Sequence, residues 1–185
     1  MSGRIIIITG GARSGKSRFA EGTARRIGGR AVYIATAAIT DDEMRDRIER
    51  HRKSRPADWE TREAWRGLDG ILMESAEAGC VLLDCVTNMV GNIMMETDHV
   101  WENISIETAE RVEADILAEI GRFITAARSF EGTVIVVSNE LGMGLVPPYP
   151  LGRYFRDFAG RANQHIAEAA DEVYFMVAGI PLRIK

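Results

Sequence analysis

The sequence contains little cysteine, little excess charge and no long apolar run. Its 185 residues include two cysteines and three histidines, and 27 acidic side chains exceed 23 basic ones to give a net charge of −4 at pH 7. An acidic chain with a pI near 5.5 has no general electrostatic attraction to DNA, RNA or an anionic membrane. No apolar run approaches the roughly 20 residues that a membrane-spanning helix needs. We therefore expect neither a nucleic-acid partner nor a membrane span.

The two cysteines, Cys80 and Cys85, flank a short apolar run. Their spacing is typical of neither a redox C-x-x-C motif nor a zinc site. We interpret them as buried, reduced thiols rather than as a disulfide or metal ligands. The first residues also lack the basic region, long apolar core and cleavage site of a signal peptide. Both observations favour a cytoplasmic protein.

Alternating strand and helix patterns predict an α/β fold. The composition, 46% hydrophobic and 27% charged, is that of one globular domain spanning residues 1–185. Apolar runs predict strands at 4–9, 31–36, 80–85 and 133–140, an edge strand at 59–64 and a terminal hairpin at 173–185. Helical patterns cover residues 16–27, about 40–52, 65–78, 102–129 and 153–170. This alternation predicts a mostly parallel sheet with helices on both faces.

Residues 10–17 carry the most specific local motif. GGARSGKS completes the phosphate-loop pattern G-x-x-x-x-G-K-[ST] between a predicted strand and a predicted helix. Glycine permits positive φ, so that backbone N–H groups can point at phosphate oxygens, while the lysine reaches the β- and γ-phosphates and the serine hydroxyl binds Mg²⁺. The pattern predicts a nucleotide-binding protein with these candidate ligands: Gly10, Gly11, Ala12, Arg13, Ser14, Gly15, Lys16 and Ser17.

A phosphate loop is usually accompanied by an acid that helps to place Mg²⁺ and ends a neighbouring strand. Asp84 ends the run VLL and is the first candidate for that role. Glu140, after the run VIVVSN, is a weaker candidate, because an Asn-Glu pair there is equally typical of a helix cap or a surface.

The segment RDRIERHRKSR, residues 45–55, is strongly basic within an acidic protein. Arg47, His51 and Arg55 follow helical spacing, so one face can present an imidazole between two guanidinium groups. Neighbouring cations keep such an imidazole neutral and nucleophilic. From the pattern alone His51 is a surface histidine, a phosphate ligand or a covalent nucleophile. His99 and His165 have no comparable neighbours, and we interpret them as structural.

Five segments together resemble one enzyme family, collinearly from about residue 4 to 185. They are TGGARSGKS, YIATA…DDEMRDRIERHRKSRPADWETRE, LLDCVTNMV, SNELGMGLVP and RYFRDFAGRANQ…AADEVYFMVAGIPLRIK. The family is the bifunctional adenosylcobinamide kinase/adenosylcobinamide-phosphate guanylyltransferase of cobalamin biosynthesis. The resemblance implies a RecA-like phosphate-loop fold and a homotrimer.

The resemblance also implies the chemistry. The enzyme would phosphorylate adenosylcobinamide with ATP or GTP, and then transfer GMP from GTP to the product through a histidine–GMP intermediate, with release of pyrophosphate. His51 would be the nucleophile, and Lys16 would act at the phosphates. Position 50 is arginine in this chain, where some relatives carry a second histidine, so the nucleophile is unambiguous.

Further binding residues follow from the same resemblance. Ile34, Ala35 and Thr36 would line the nucleotide pocket, Glu63 would lie near the guanosine, and Asp84 would lie at the metal and phosphate. The residues that would border the nucleotide behind the histidine are Arg52, Lys53, Ser54 and Arg55. Residues 141–152 and the helix from 153 lie outside the core motifs, and our hypothesis is that they form part of the subunit contact or of the corrinoid site.

Two other classes of function remain open from the residues alone. One is a monofunctional small-molecule phosphate-loop kinase in which His51 only binds phosphate. The other is a RecA-like ATPase that uses the basic helix on nucleic acid, although no aromatic side chains for base stacking are interleaved there.

Overall fold

The structure is a computed structural model that describes residues 3–38, 56, 58–96 and 98–185. Helices and strands alternate along these residues. Their order is β1 (Arg4–Gly10), α1 (Lys16–Ile27), β2 (Ala31–Ala35), β3 (Glu60–Glu63), α2 (Leu68–Glu74), β4 (Cys80–Asp84), α3 (Val86–Met95), a 3-10 turn (Trp101–Asn103), α4 (Ile106–Ser129), β5 (Thr133–Val137), α5 (Pro150–Ala169), β6 (Glu172–Val177) and β7 (Ile180–Arg183). The helix expected at about 40–52 lies outside the described residues.

The strands form one sheet. Within the described residues it has seven strands in the order β3-β2-β4-β5-β1-β6-β7. All pairs are parallel except the terminal hairpin of β6 and β7. The mostly parallel sheet, the edge position of β3 and the hairpin are therefore confirmed.

Side chains alternate between the two faces of the sheet, as strand geometry requires. On β1, Ile5 and Ile7 join a core that also contains apolar residues of α2, α3, α4 and α5, whereas Ile6 and Ile8 join a second core with Ala20 and Ala24 of α1. The prediction of helices on both faces is confirmed. Among the described helices, α1 is the only one that covers the sheet face formed by Ile6 and Ile8. The first turn of α1 carries the phosphate-loop lysine.

Several predicted boundaries were wrong, and α3 was not predicted at all. The helix expected at 102–129 begins at Ile106, because Ser105 is its N-cap and accepts a hydrogen bond from the Thr108 N–H at 3.1 Å. The helix expected from 153 begins at Pro150, where the missing N–H of proline costs nothing. The helix expected to reach residue 78 ends at Glu74, and the strand expected to reach residue 140 ends at Val137.

None of the helices in the described part of the chain combines the length and the apolar character needed to cross a membrane.

Candidate functional site

The phosphate loop joins β1 to α1 at the carboxyl edge of the sheet. Gly10 and Gly15 have φ values of +148° and +92°, and Arg13 also lies at positive φ. The backbone between them folds back on itself, since the Ser14 N–H donates to the Gly11 carbonyl at 3.3 Å. α1 begins without a side-chain cap, so its first N–H groups face the loop. The loop therefore has the shape of an anion-binding cradle.

Lys16 is held inside this cradle. Its side chain is buried, and Nζ donates to the Gly11 carbonyl oxygen at 2.6 Å. Ser17 follows in the first turn of α1 and is half-buried. The lysine ammonium therefore lies where an incoming phosphate would replace a backbone carbonyl as its partner.

The terminal hairpin supports the loop from the side, a contact that the sequence reading missed. The Gly179 N–H, in the turn between β6 and β7, donates to the Ser14 carbonyl at 3.0 Å. A Cβ on Gly10 would lie 2.6 Å from the Met176 carbonyl oxygen, and one on Gly15 would lie 3.2 Å from the Gly179 Cα. Glycine at both loop positions permits this close approach.

Asp84 ends β4. We had expected this strand to neighbour β1, but the two strands are not hydrogen-bonded to each other. β5 lies between them, and both Ile8 and Asp84 are in register with Val137 of β5. Two strand spacings therefore separate the backbone of Asp84 from that of β1, which is about 10 Å. Tyr33 Oη donates to Asp84 Oδ2 at 2.8 Å, and both side chains lie on the α1 face. The acid thus faces the side of the sheet that carries Lys16.

A network of neutral hydrogen bonds joins the carboxyl ends of β2, β4 and β5. Thr36 Oγ1 donates to the Cys85 carbonyl at 2.7 Å and accepts from the Cys85 N–H at 2.8 Å. Asn139 Nδ2 donates to Thr87 Oγ1 at 2.7 Å, and Asn163 Nδ2 of α5 donates to the Asn139 carbonyl at 3.1 Å. No sequence motif indicated this network, because its five members come from four separate segments.

The residues expected at the nucleotide base and sugar lie at the same edge but differ in exposure. The side chains of Ile34 and Thr36 are fully buried, and Ala35 is 8% exposed. Glu63 is exposed and lies in register with Ala35 on the neighbouring strand β3. Glu63 therefore has surface to offer a ligand, whereas Ile34, Ala35 and Thr36 contribute packing and the shape of the strand end.

Glu140, the weaker metal candidate, is engaged within its own loop. Its backbone N–H donates to the Gly10 carbonyl at 3.0 Å, and its Oε1 accepts from the Gly142 N–H at 2.6 Å. This carboxylate supports the turn after β5.

The two cysteines are buried, unpaired thiols, as expected. Burial raises the pKa of Cys80 to about 12. Burial also raises the pKa of Cys85, with a further contribution from the charge of Asp84. Both groups stay protonated at neutral pH and offer no nucleophile.

The basic segment that contains Arg47, His51 and Arg55 lies outside the described residues. The same holds for three expected nucleotide-bordering residues between them: Arg52, Lys53 and Ser54. Their roles stay predictions from the sequence.

Two solved structures share this architecture. Flagellar accessory protein FlaH from Methanocaldococcus jannaschii has a TM-score of 0.52 and 14% identity, covering 100% of this chain and 79% of its own. The RadB recombinase has a TM-score of 0.51 and 14% identity, covering 94% of this chain and 74% of its own. At this identity the likeness concerns the fold alone. With the loop geometry, it defines a RecA-like phosphate-loop NTPase fold.

Sequence relatives narrow this class to one family. The chain matches the family described as cobinamide kinase / cobinamide phosphate guanyltransferase over residues 6–184, and it belongs to that family. The bifunctional adenosylcobalamin biosynthesis protein CobU of Salmonella typhimurium is 45% identical over 190 residues, covering 98% of this chain and 99% of the relative. The equivalent CobP of Pseudomonas aeruginosa is 41% identical over 180 residues, covering 97% and 96%. The resemblance drawn from the five sequence segments is confirmed.

Proposed function

We propose that this protein is a bifunctional transferase of cobalamin biosynthesis. It phosphorylates the side-chain hydroxyl of adenosylcobinamide with ATP or GTP, and then joins GMP from GTP to that phosphate with release of pyrophosphate. The observation that carries the proposal is a complete phosphate-loop cradle around a buried Lys16, in a chain that matches the kinase/guanylyltransferase family over residues 6–184.

The phosphate loop binds the β- and γ-phosphates in both reactions. The N-terminal dipole of α1 and the uncapped N–H groups of its first turn face them, and Lys16 exchanges its bond to the Gly11 carbonyl for a phosphate oxygen. In guanylyl transfer these two phosphates form the leaving group. The same positive groups then compensate the charge that develops on pyrophosphate, which is the largest electrostatic contribution available at this site.

Magnesium is the metal that we propose for both reactions. Ser17 and Asp84 supply hard oxygen ligands at one edge of the sheet, and Tyr33 orients the carboxylate. Mg²⁺ typically binds one or two carboxylates together with phosphates and water. The Ser17 hydroxyl and the Asp84 carboxylate fit such a small ligand set. When bound, the ion would neutralise phosphate charge.

His51 supplies the nucleophile for guanylyl transfer. A neutral ring nitrogen forms a bond to the α-phosphorus while the bond from that phosphorus to the bridging oxygen breaks, and pyrophosphate leaves. The phosphate of adenosylcobinamide phosphate then attacks the same phosphorus, and the P–N bond breaks. Arg52 or Arg55 compensates the equatorial phosphate oxygens.

The kinase reaction requires no covalent intermediate. The loop presents the γ-phosphate to the corrinoid hydroxyl, and Lys16 stabilises the charge on the transferred group. Ala35, Glu63 and the residues behind His51 surround the rest of the nucleotide, with Glu63 near the guanosine. The family resemblance supports a homotrimer, and the two reduced thiols support a cytoplasmic location.

Labelling with GTP tests the covalent step. The protein is incubated with Mg²⁺ and GTP labelled at the α-phosphate, denatured, and treated with acid or alkali. We expect a label that is acid-labile and alkali-stable, absent in His51→Ala and retained in His165→Ala, since His165 is an exposed side chain of α5. An unlabelled wild type, or a labelled His51→Ala protein, would overturn the histidine–GMP intermediate.

Product analysis separates the two reactions. His51→Ala should retain phosphorylation of adenosylcobinamide and lose guanylyl transfer, whereas Lys16→Ala should lose both by at least about 100-fold. Circular dichroism establishes that the variants are folded. Equal loss of both reactions in folded His51→Ala protein would contradict this division of roles.

A further inference from the structure

The loop after β5 displays apolar side chains to solvent. We call residues 141–149 the apolar loop. Leu145 is 96% exposed, Met143 80%, Val146 66% and Tyr149 55%. Large apolar side chains grouped on one short surface segment mark a binding surface more often than chance exposure does.

The backbone of the apolar loop is fixed although its side chains are exposed. Arg156 donates to the Gly142 carbonyl at 3.1 Å, and Arg153 donates to the Pro148 carbonyl at 2.9 Å, both from the first two turns of α5. At the other end of the loop, the Glu140 carboxylate accepts from the Gly142 N–H. The exposed side chains therefore stand on a preorganised backbone, which lowers the entropy cost of binding a ligand.

Close packing fixes the last residues of the apolar loop as well. A Cβ on Gly152 would lie 2.6 Å from the Tyr149 ring and 2.8 Å from the Pro147 Cβ. Glycine in the first turn of α5 thus lets the end of the loop fold back onto the helix.

The position of the apolar loop indicates that its ligand is the phosphate acceptor rather than the nucleotide. β5 lies between β1, which carries the phosphate loop, and β4, which carries Asp84. The root of the loop contacts the phosphate loop directly, because the Glu140 N–H donates to the Gly10 carbonyl. A group that receives the γ-phosphate must approach between these strand ends, and a large acceptor then extends over the loop that rises from β5.

We propose that Met143, Leu145 and Val146 form a platform for the corrin ring of the acceptor and so determine specificity for corrinoids; this inference rests on the proposed function. A corrin macrocycle is broad and largely apolar, with amide groups at its rim, and it matches an apolar platform with a rigid backbone. The platform begins beside Glu140, whose backbone is bonded to the phosphate loop, so an acceptor seated on it lies next to the γ-phosphate.

The double variant Leu145→Ser/Val146→Ser tests the platform. We expect KM for adenosylcobinamide to rise about 10-fold or more, with KM for the nucleotide and GMP labelling of the protein unchanged. Equilibrium dialysis followed by corrin absorbance should show the same loss of affinity. The matched control is Met73→Ser on α2, where an equally exposed apolar side chain lies outside the loop.

Each other outcome has a defined meaning. Unchanged corrinoid affinity and KM in the double variant overturn the platform. A change in oligomeric state by light scattering, with corrinoid affinity retained, shows that the loop is a contact between copies and also overturns it. A wild-type protein that neither binds nor phosphorylates cobinamide contradicts the proposed function itself, which is distinguishable from failure of the platform alone.

Discussion

Gly10 is the residue at which β1 leaves the sheet and the phosphate loop begins. Its φ is +148°, and a side chain there would overlap the Met176 carbonyl and approach Ser14 Oγ to 2.9 Å. Gly11 differs, since no heavy atom lies within 4 Å of the position its Cβ would occupy. The backbone conformation and close neighbours of Gly10 therefore require glycine, whereas nothing around Gly11 excludes a side chain.

This difference predicts unequal effects of two matched substitutions. Gly10→Ala should lower the free energy of unfolding by roughly 1–3 kcal/mol, because the new side chain forces a strained backbone or displaces β6. Gly11→Ala should cost much less. Urea unfolding of both variants without nucleotide measures the difference, and equal stabilities would show that Gly10 tolerates a side chain in this position.

The residues of the phosphate loop could be predicted because the motif encodes a local geometry within eight consecutive residues. The residues that support the loop could not be predicted from the sequence. Met176 and Gly179 belong to the hairpin at the far end of the chain, and no pattern in their own segment indicates contact with residues 10–15. The bond from Tyr33 to Asp84 likewise depends on the pairing of β2 with β4.

At the scale of elements, Arg66 joins the segment after β3 to two helices. Its guanidinium donates to Glu96 at the end of α3 at 2.7 Å and to Asp115 of α4 at 2.6 Å. Trp65 Nε1 also donates to Glu96. Hydrogen bonds from Arg66 lower the pKa of both carboxyl groups. One side chain thus links the end of α3 to α4.

Removing this side chain should loosen the junction. We expect Arg66→Ala to lower the free energy of unfolding by roughly 1 kcal/mol, since the group is partly exposed and its pairs are screened by water. Arg111→Ala is the matched control, because it removes a fully surface-located pair with Glu107 on α4. Denaturant unfolding compares the two, and an equal or smaller loss in Arg66→Ala would show that the network adds no stability.

We predicted most strands from the sequence, but neither α3 nor the order of the strands. Six of the ten residues of α3 are buried, and its apolar residues Val86, Met89, Val90, Ile93 and Met94 recur at helical spacing, so the sequence contained a helical pattern that our prediction missed. Strand order is a property of tertiary packing. The expectation that Asp84 neighbours the phosphate-loop strand was wrong because β5, which follows β4 and α4 in the chain, inserts between them.

Across the whole molecule, the two edges of the sheet are held by different chemistry. At the amino edge, Glu172 pairs with Arg4 and Asp171 pairs with Arg128. At the carboxyl edge, neutral hydroxyl and amide groups such as Thr36 and Asn139 make the connections. Within the described residues, these ion pairs thus hold the amino edge, while neutral groups join β2, β4 and β5 at the carboxyl edge.

This asymmetry predicts acid sensitivity that originates away from the site. Hydrogen bonds from Tyr174 and Arg4 lower the pKa of Glu172. Burial raises the pKa of Asp171, but the hydrogen bonds from the Ile5 N–H and Arg128 outweigh it, so the pKa of this group is also lowered. A carboxyl group whose pKa is lower in the folded state contributes stability above its unfolded pKa of about 4. That contribution is lost as pH falls through the folded value.

Thermal unfolding between pH 7 and pH 2 tests this expectation. The melting temperature of the wild type should fall below about pH 4. Glu172→Gln should melt a few degrees lower at pH 7 and approach the wild type in strong acid, whereas Glu110→Gln, an exposed change on α4, should alter little at either pH. A constant difference between Glu172→Gln and the wild type at every pH would contradict the assignment.

The hydrogen bond from Gly179 to Ser14 has a practical consequence. It joins a surface turn to the phosphate loop, so we expect a triphosphate bound by the loop to reduce the motion of the turn. Val177 lies beside that turn and is 52% exposed. The fluorescence of a probe attached there should change when nucleotide binds. Nucleotide binding and release could then be followed in real time by a label that lies outside the reacting groups.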